Sequence, residues 1–173
     1  MGDSGALTIT PSVTIDPAAV VSPDARIIPS VRGTRIVIGP GAHIEPFALI
    51  RCVGGSGDVI IGPNCYVNPY CVLYSGNGIS LGSDVLLGPG VQLVPANHNW
   101  ERRDVPIRQQ GFRPSRGGIV IEDDVWIGAN TVVLDGARIG RGAIIGAGSV
   151  VSGEIPAYEI WGGNPIRKLK DRP

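Results

Sequence analysis

One side chain in this 173-residue sequence stands out as able to move a proton in a catalytic step. His98 falls near the start of VPANHNWERRDVPIRQQGFRPSRGG, residues 94–118. An unprotonated imidazole can take the proton of an attacking hydroxyl as the new bond forms, which typically contributes about 10²–10⁴ in rate. The segment holds five arginines, at 102, 103, 108, 113 and 116, against Glu101 and Asp104, so it is locally basic in a chain of zero net charge. Trp100 offers an apolar face for stacking on a sugar ring, or for pinning the segment. Glu101 and Asp104 are carboxylates near enough in sequence to orient the imidazole, or solvated loop charges. The only other histidine, His43, sits one residue before an aliphatic of a six-residue repeat and reads as a surface or subunit-contact residue.

Nucleophilic catalysis has little to work with. There is no Gly-x-Ser-x-Gly elbow, and two of the three cysteines, Cys65 and Cys71, occupy small inward positions of that repeat. Direct attack in a ternary complex, without a covalent intermediate on the enzyme, is therefore expected. It would draw on holding the reactants together and on N–H donors facing the developing oxyanion.

The elements that position His98 come from the period of six. Aliphatics fall at Ile9, Ile15, Val21 and Ile27, at Ile38, Ile44 and Ile50, at Ile61, Val67 and Leu73, at Leu81, Leu87 and Leu93, and then without a break from Ile121 to Val151. Six is neither a helical nor an alternating-strand period; it means short strand, turn, short strand. Glycine follows the aliphatic at 39, 62, 82, 88, 128, 140 and 146, which suits a tight corner or a positive φ. Four residues after the aliphatic the residue is small or β-branched, as at Ala42, Cys65, Cys71, Thr131, Ala143 and Ser149, which a narrow prism requires.

The interruptions come after sets of three hexads: 11 residues from Ile27 to Ile38, 11 from Ile50 to Ile61, 8 from Leu73 to Leu81 and 28 from Leu93 to Ile121. Insertions confined to every third hexad imply a three-sided coil whose extra chain leaves from one edge. The expectation is one all-β domain over residues 1–173: a parallel β-helix of about six triangular coils, one long protruding loop at 94–118, and a short C-terminal tail at 154–173. A loop of that length in a compact repeat protein is usually functional or disordered.

Composition narrows the classes. Lys plus Arg and Asp plus Glu are 15 each, so no global field favours nucleic acid. No window approaches the roughly 18 apolar residues of a transmembrane segment, and the N-terminus shows no signal-peptide pattern. Three cysteines without CxxC spacing fit a reducing, cytoplasmic setting.

The run IEDDVWIGANTVVLDGARIGRGAIIGAGSVVSGEIPAYEIWGGNPIRKLK resembles the hexapeptide-repeat acetyltransferases, and within them the maltose, galactoside and polysaccharide sugar O-acetyltransferases. The resemblance is specific from about Ile79 to Lys170. It implies a left-handed β-helix, a homotrimer, and acetyl-CoA bound as co-substrate between subunits, with no metal. The handedness rests on the resemblance alone, since ordinary parallel crossovers are right-handed. Within PANH, His98 matches the catalytic histidine. Asn68, in YVNPY, matches an acceptor-binding asparagine, although a plain turn asparagine before Pro69 has the same appearance. Trp126, which the repeat directs outward, matches a residue against the pantetheine arm; subunit packing would also explain it. Ala129 and Ala147 match residues whose backbone meets the pantetheine amides, and Ser152 matches a further contact. Arg167 and Lys170 match phosphate-binding positions. Lys170 stands where the family often has arginine, so it offers a point charge without a fork.

The expected function is transfer of an acetyl group from acetyl-CoA to a saccharide hydroxyl, with His98 as general base. N-acetylation of an amino sugar or nucleotide-linked amino sugar uses the same fold and co-substrate. A non-catalytic scaffold leaves the anchored histidine, outward tryptophan and basic tail without a reason. A γ-type carbonic anhydrase needs three histidine ligands, and the chain has two. Outward apolar residues at Tyr66, Val72, Leu86, Val132, Ile144 and Val150 exceed what one solenoid should show to water, which supports self-association.

Overall fold

The computed structural model describes residues 12–53, 55 and 57–173. Ile9, the first aliphatic of the repeat, lies outside them, as does the MGDSGALTITP segment. The described chain is a left-handed parallel β-helix with three faces. The first face stacks seven strands: Val13–Ile15, Ile36–Ile38, Val59–Ile61, Ile79–Leu81, Ile119–Ile121, Arg138–Ile139 and Glu154–Ile155. The second stacks Val20–Val21, His43–Ile44, Tyr66–Val67, Leu86–Leu87, Trp126–Ile127, Ile144–Ile145 and Glu159–Gly162, with Arg167–Asp171 added antiparallel at its end. The third stacks Arg26–Ile28, Leu49–Arg51, Val72–Tyr74, Gln92–Val94, Val132–Leu134 and Val150–Val151.

The aliphatic of each hexad points into the prism and stacks on its equivalent one coil away, as in Ile38 on Ile61 and Leu87 on Ile127. The second inward row is buried too: Ala42, Cys65, Cys71, Thr131, Ala143 and Ser149 are all fully covered. The polar members of that row donate to backbone carbonyls, Thr131 Oγ1 and Ser149 Oγ to Gly146 and the Cys65 and Cys71 thiols to Gly82 and Gly88. Buried hydroxyls and thiols thus carry no unsatisfied donor.

Except at Gly146, the glycine after the aliphatic is explained by close approach rather than by φ. None of Gly39, Gly62, Gly82, Gly88, Gly128, Gly140 and Gly146 has positive φ. A Cβ on Gly88 would stand 2.7 Å from the Ala129 nitrogen, and one on Gly128 2.5 Å from the Ala147 nitrogen. The positive φ occurs two residues later, at Gly41, Asn64, Asp84, Gly90, Asp124 and Asn130 among others.

All four insertions leave between the third face and the first, after Ile28, Arg51, Tyr74 and Val94. They form one ridge along the spool. The tail is more ordered than its description as a tail suggested: Glu154–Ile155 and Glu159–Gly162 continue the coils, and Arg167–Asp171 folds back as a hairpin on the second face.

Candidate active site

The long loop departs from Val94 and returns at Ile119, and its two arms are zipped together. The Arg113 N–H donates to the Asn97 carbonyl at 2.8 Å, and the Asn99 N–H to the Gly111 carbonyl at 3.0 Å. His98 and Phe112 face each other in an antiparallel bridge, their rings 4.5 Å apart. The Asn99 side-chain amide donates to the Gln110 and Phe112 carbonyls at 3.2 and 3.1 Å. Backbone on both sides of His98 is thereby fixed, while the imidazole itself stays exposed to a reactant.

The carboxylates near His98 are otherwise engaged. Glu101 accepts the Trp100 N–H at 3.0 Å and pairs with Arg113 at 3.2 Å. Backbone N–H donors, its own first, hold its carboxyl below the usual range. Asp104 pairs with Arg102 at 2.7 Å, which lowers its carboxyl likewise. Among the described residues neither is hydrogen-bonded to His98; each is held by an arginine of the loop. The Arg113 guanidinium lies 5.4 Å from the Trp100 ring centre, which pins an indole still 59% exposed.

His98, Trp100 and Ser152 line one cleft of ≈ 540 Å³, together with Arg113, Arg116 and Asp135. This brings the expected base, the expected sugar wall and one residue of the expected co-substrate side to a single opening. Ala147 and Arg167 line a second cleft, ≈ 350 Å³, with Gly162, Gly163 and Asn164. Trp126 stands 50% exposed on the second face, in a shallow cleft beside Leu86, Ile144 and Arg172. Ala129 lies at the next corner, its backbone packed closely against Gly88 one coil away. Lys170 is exposed on the outer strand of the hairpin, opposite Ile160.

Asn68 is half-buried, and its side-chain amide donates to the Leu87 carbonyl at 2.8 Å. That bond links two coils and uses one of the two amide protons, leaving the other proton and the side-chain oxygen for any acceptor. His43 lies on the second face, stacked on Tyr66 at 4.5 Å, away from the ridge. Burial pushes both inward thiols up, Cys71 to about 11, which makes them poor nucleophiles. Phe112 and Asp135 went unrecognised in the sequence. Phe112 gave no periodic signal, and Asp135 reads as an ordinary turn aspartate in LDG.

Residues 118–153 match the bacterial transferase hexapeptide (six repeats) family. Over 92 residues the chain is 40% identical to a Schizosaccharomyces pombe protein provisionally named an acetyltransferase, which covers 53% of this chain and 42% of that one. Over 57 residues it is 47% identical to the 2,3,4,5-tetrahydropyridine-2,6-dicarboxylate N-acetyltransferase of Staphylococcus aureus, covering 33% of this chain and 24% of the relative. The chain thus spans less than half the length of either curated relative. Among solved structures it is similar to a hexapeptide-repeat acetyltransferase of Vibrio cholerae complexed with acetyl-CoA, with TM-score 0.66, 33% identity, and coverage of 79% of this chain and 70% of that one. A maltose O-acetyltransferase of Clostridium difficile superposes with TM-score 0.60 and 30% identity, over 79% of this chain and 69% of its own. With the period-six spool, the ridge loop and these likenesses together, the chain belongs to the hexapeptide-repeat acetyltransferase family.

Proposed function

We propose that the protein transfers an acetyl group from acetyl-CoA to a hydroxyl of a saccharide, with His98 as general base. The observation that carries this reading is the cleft at which His98, Trp100 and Ser152 meet. In the proposed step His98 accepts the hydroxyl proton while the acceptor oxygen bonds to the thioester carbonyl carbon. The tetrahedral intermediate collapses, the carbon–sulfur bond breaks, and the proton held by His98 passes to the departing thiolate. The buried cysteines leave no alternative nucleophile in the inward row, so transfer is direct.

Ala129, Ala147, Trp126 and Ser152 would hold the pantetheine arm, and Arg167 and Lys170 the phosphates, where charge-assisted bonds are strong. Asn68 would offer its side-chain oxygen to the acceptor and Trp100 its ring. The likeness to one structure complexed with acetyl-CoA and to another named a maltose O-acetyltransferase supports this reading. We further propose a homotrimer whose clefts are completed by a neighbour. Tyr66 and Leu86, 38% and 40% exposed on the second face, are apolar surface such a neighbour would cover. Its setting would be the cytoplasm, where acetyl-CoA is supplied and Cys52, Cys65 and Cys71 stay reduced.

N-acetylation of an amino sugar is the second reading, favoured by the N-acetyltransferase among the relatives. Turnover of matched hydroxyl and amine acceptors separates the two. The test of the main reading is His98→Ala: turnover should fall about 10²–10⁴-fold with CoA affinity retained. Near-normal turnover would end it. Light scattering that returned a monomer would remove the shared cleft.

A further inference from the structure

The ridge that bears His98 also carries an uncompensated positive cleft. Residues of the first two insertions, among them Ser30 and Thr34 from one and Cys52 and Val53 from the other, wall a space of ≈ 300 Å³ that Arg32 and Arg51 also line. Both side chains belong to exposed residues, and neither makes an ion pair among the described residues. The contrast is Arg35 next door, which is forked onto Asp58 at 2.9 and 2.7 Å. Among the described residues no aspartate or glutamate lines the cleft, whereas Ser30 and Thr34 do. Ser30 Oγ accepts the Arg32 N–H at 2.9 Å, which leaves its own hydroxyl proton to donate.

Two guanidinium groups lining one opening, with no carboxylate among its described lining residues, suit an oxyanion in charge and donor type, since a guanidinium binds one through two parallel N–H bonds. The location relates this cleft to the reaction. Arg51 is in register with Tyr74, whose strand is in turn beside Gln92–Val94, the strand that runs into the long loop. Two strand steps place Arg51 about 10 Å from Val94 along the ridge, on the same edge from which the His98 loop departs.

We propose that Arg32 and Arg51 form a subsite for a phosphate or carboxylate group of the acceptor, which lies along the ridge with its reacting hydroxyl or amine toward His98. This rests on the acyl-transfer reading only for the identity of the ligand as acceptor. The anion site itself is independent of it.

The experiment is calorimetry on the full chain with inorganic pyrophosphate, alone and with CoA saturating. Binding that persists beside CoA, and weakens at least tenfold in both Arg51→Ala and Arg32→Ala, is the expected result. Both variants should keep the parent's melting midpoint and CoA affinity, since both residues are exposed. Malonate in place of pyrophosphate tells a carboxylate preference from a phosphate one. Pyrophosphate displaced by CoA, or bound equally well by the two variants, overturns the subsite. With anionic and neutral acceptors compared, the assignment as an acceptor site requires that Arg51→Ala raise KM for the anionic one alone and leave kcat unchanged. Intact pyrophosphate binding with no acetyl transfer to any acceptor would overturn that assignment and the acyl-transfer reading, while the anion site stood.

Discussion

Asn77 and Asp135, 58 residues apart, are joined by a hydrogen bond of 2.9 Å at the foot of the long loop. Asp135 is 2% exposed and accepts two more bonds, from the N–H groups of Arg116 and Gly118, each at 2.9 Å. One carboxylate thus ties the loop's returning arm to the coil beneath it and to the preceding connection on the ridge. It also lines the cleft of His98.

Asp135→Ala should therefore loosen the loop and destabilise the fold. It would leave the buried Gly118 N–H without a partner, at a cost of about 1–3 kcal/mol. For a domain of this size that lowers the melting midpoint by roughly 2–12 °C. Calorimetry reads the midpoint and steady-state kinetics the turnover. Both should fall, and CoA affinity should not. An unchanged midpoint would show that the three bonds hold nothing.

Phe112 supports His98 from the other arm. Phe112→Ala removes the ring that lies tilted against the imidazole, centroids 4.5 Å apart, but leaves the backbone bridge. The expected outcome is a drop of about tenfold in kcat, in keeping with the sensitivity of catalysis to small misplacements, with KM for acetyl-CoA kept. Phe112→Leu should recover part of it. Equal kcat in all three proteins would mean that the backbone alone sets the imidazole.

The spool was legible because its signal is local and repeated. Each aliphatic from Ile15 to Val151 announces its own strand, and the gaps after Ile27, Ile50, Leu73 and Leu93 locate the ridge. The handedness needed the family resemblance. Corner residues with positive φ were not legible where the residue is large, as at Phe47, Tyr70 and Tyr158, because nothing in their type favours that backbone. The Asp135 clasp was hidden for a different reason. Its partners Asn77, Arg116 and Gly118 come together only through the coil stack, so no spacing in the chain encodes them. The hairpin of Glu159–Gly162 with Arg167–Asp171 was hidden likewise, since Gly-Gly-Asn-Pro announces a turn but not the strand beyond it.

Gly128 offers a test of the close stacking. In Gly128→Ala the new Cβ would lie 2.5 Å from the Ala147 nitrogen and 2.8 Å from its Cα, both backbone atoms that cannot turn aside. Relief requires the two coils to part by several tenths of an ångström. Overpacking of this kind typically costs about 1–3 kcal/mol. Because Ala147 borders the proposed pantetheine groove, CoA affinity measured by calorimetry should fall together with the melting midpoint. Loss of stability with CoA affinity intact would remove Ala147 from the groove.

Cys71 gives the fold an alkaline limit. Burial pushes its thiol up to about 11 from 9.0, so the folded state favours the protonated form. The stabilisation is complete below about pH 9 and is lost as pH rises through 11. At roughly 1.4 kcal/mol per unit, about 2–3 kcal/mol is at stake. Cys71→Ala, a size the same inward row accepts at Ala42, should flatten the decline of the melting midpoint between those two values. Parallel declines in the two proteins would sink the assignment.

The C-terminal basic residues divide into held and free cations, which decides how they should respond to substitution. Arg172 bonds Asp124 Oδ2 at 2.9 Å and the Gly142 carbonyl at 2.9 Å, tying the hairpin to two coils. Lys168 is shared by Glu159 and Asp171 at 2.6 and 2.7 Å. Arg167 makes no ion pair among the described residues and borders the cleft of Ala147. Arg167→Ala should therefore weaken CoA binding and reduce its salt dependence, with little change in the melting midpoint. Arg172→Ala should lower the midpoint and leave CoA affinity at its parent value in low salt. Titrations of both variants at two ionic strengths distinguish these patterns. If Arg172→Ala loses CoA while Arg167→Ala keeps it, the phosphates lie against the hairpin's far end, beside Trp126, instead of at Arg167.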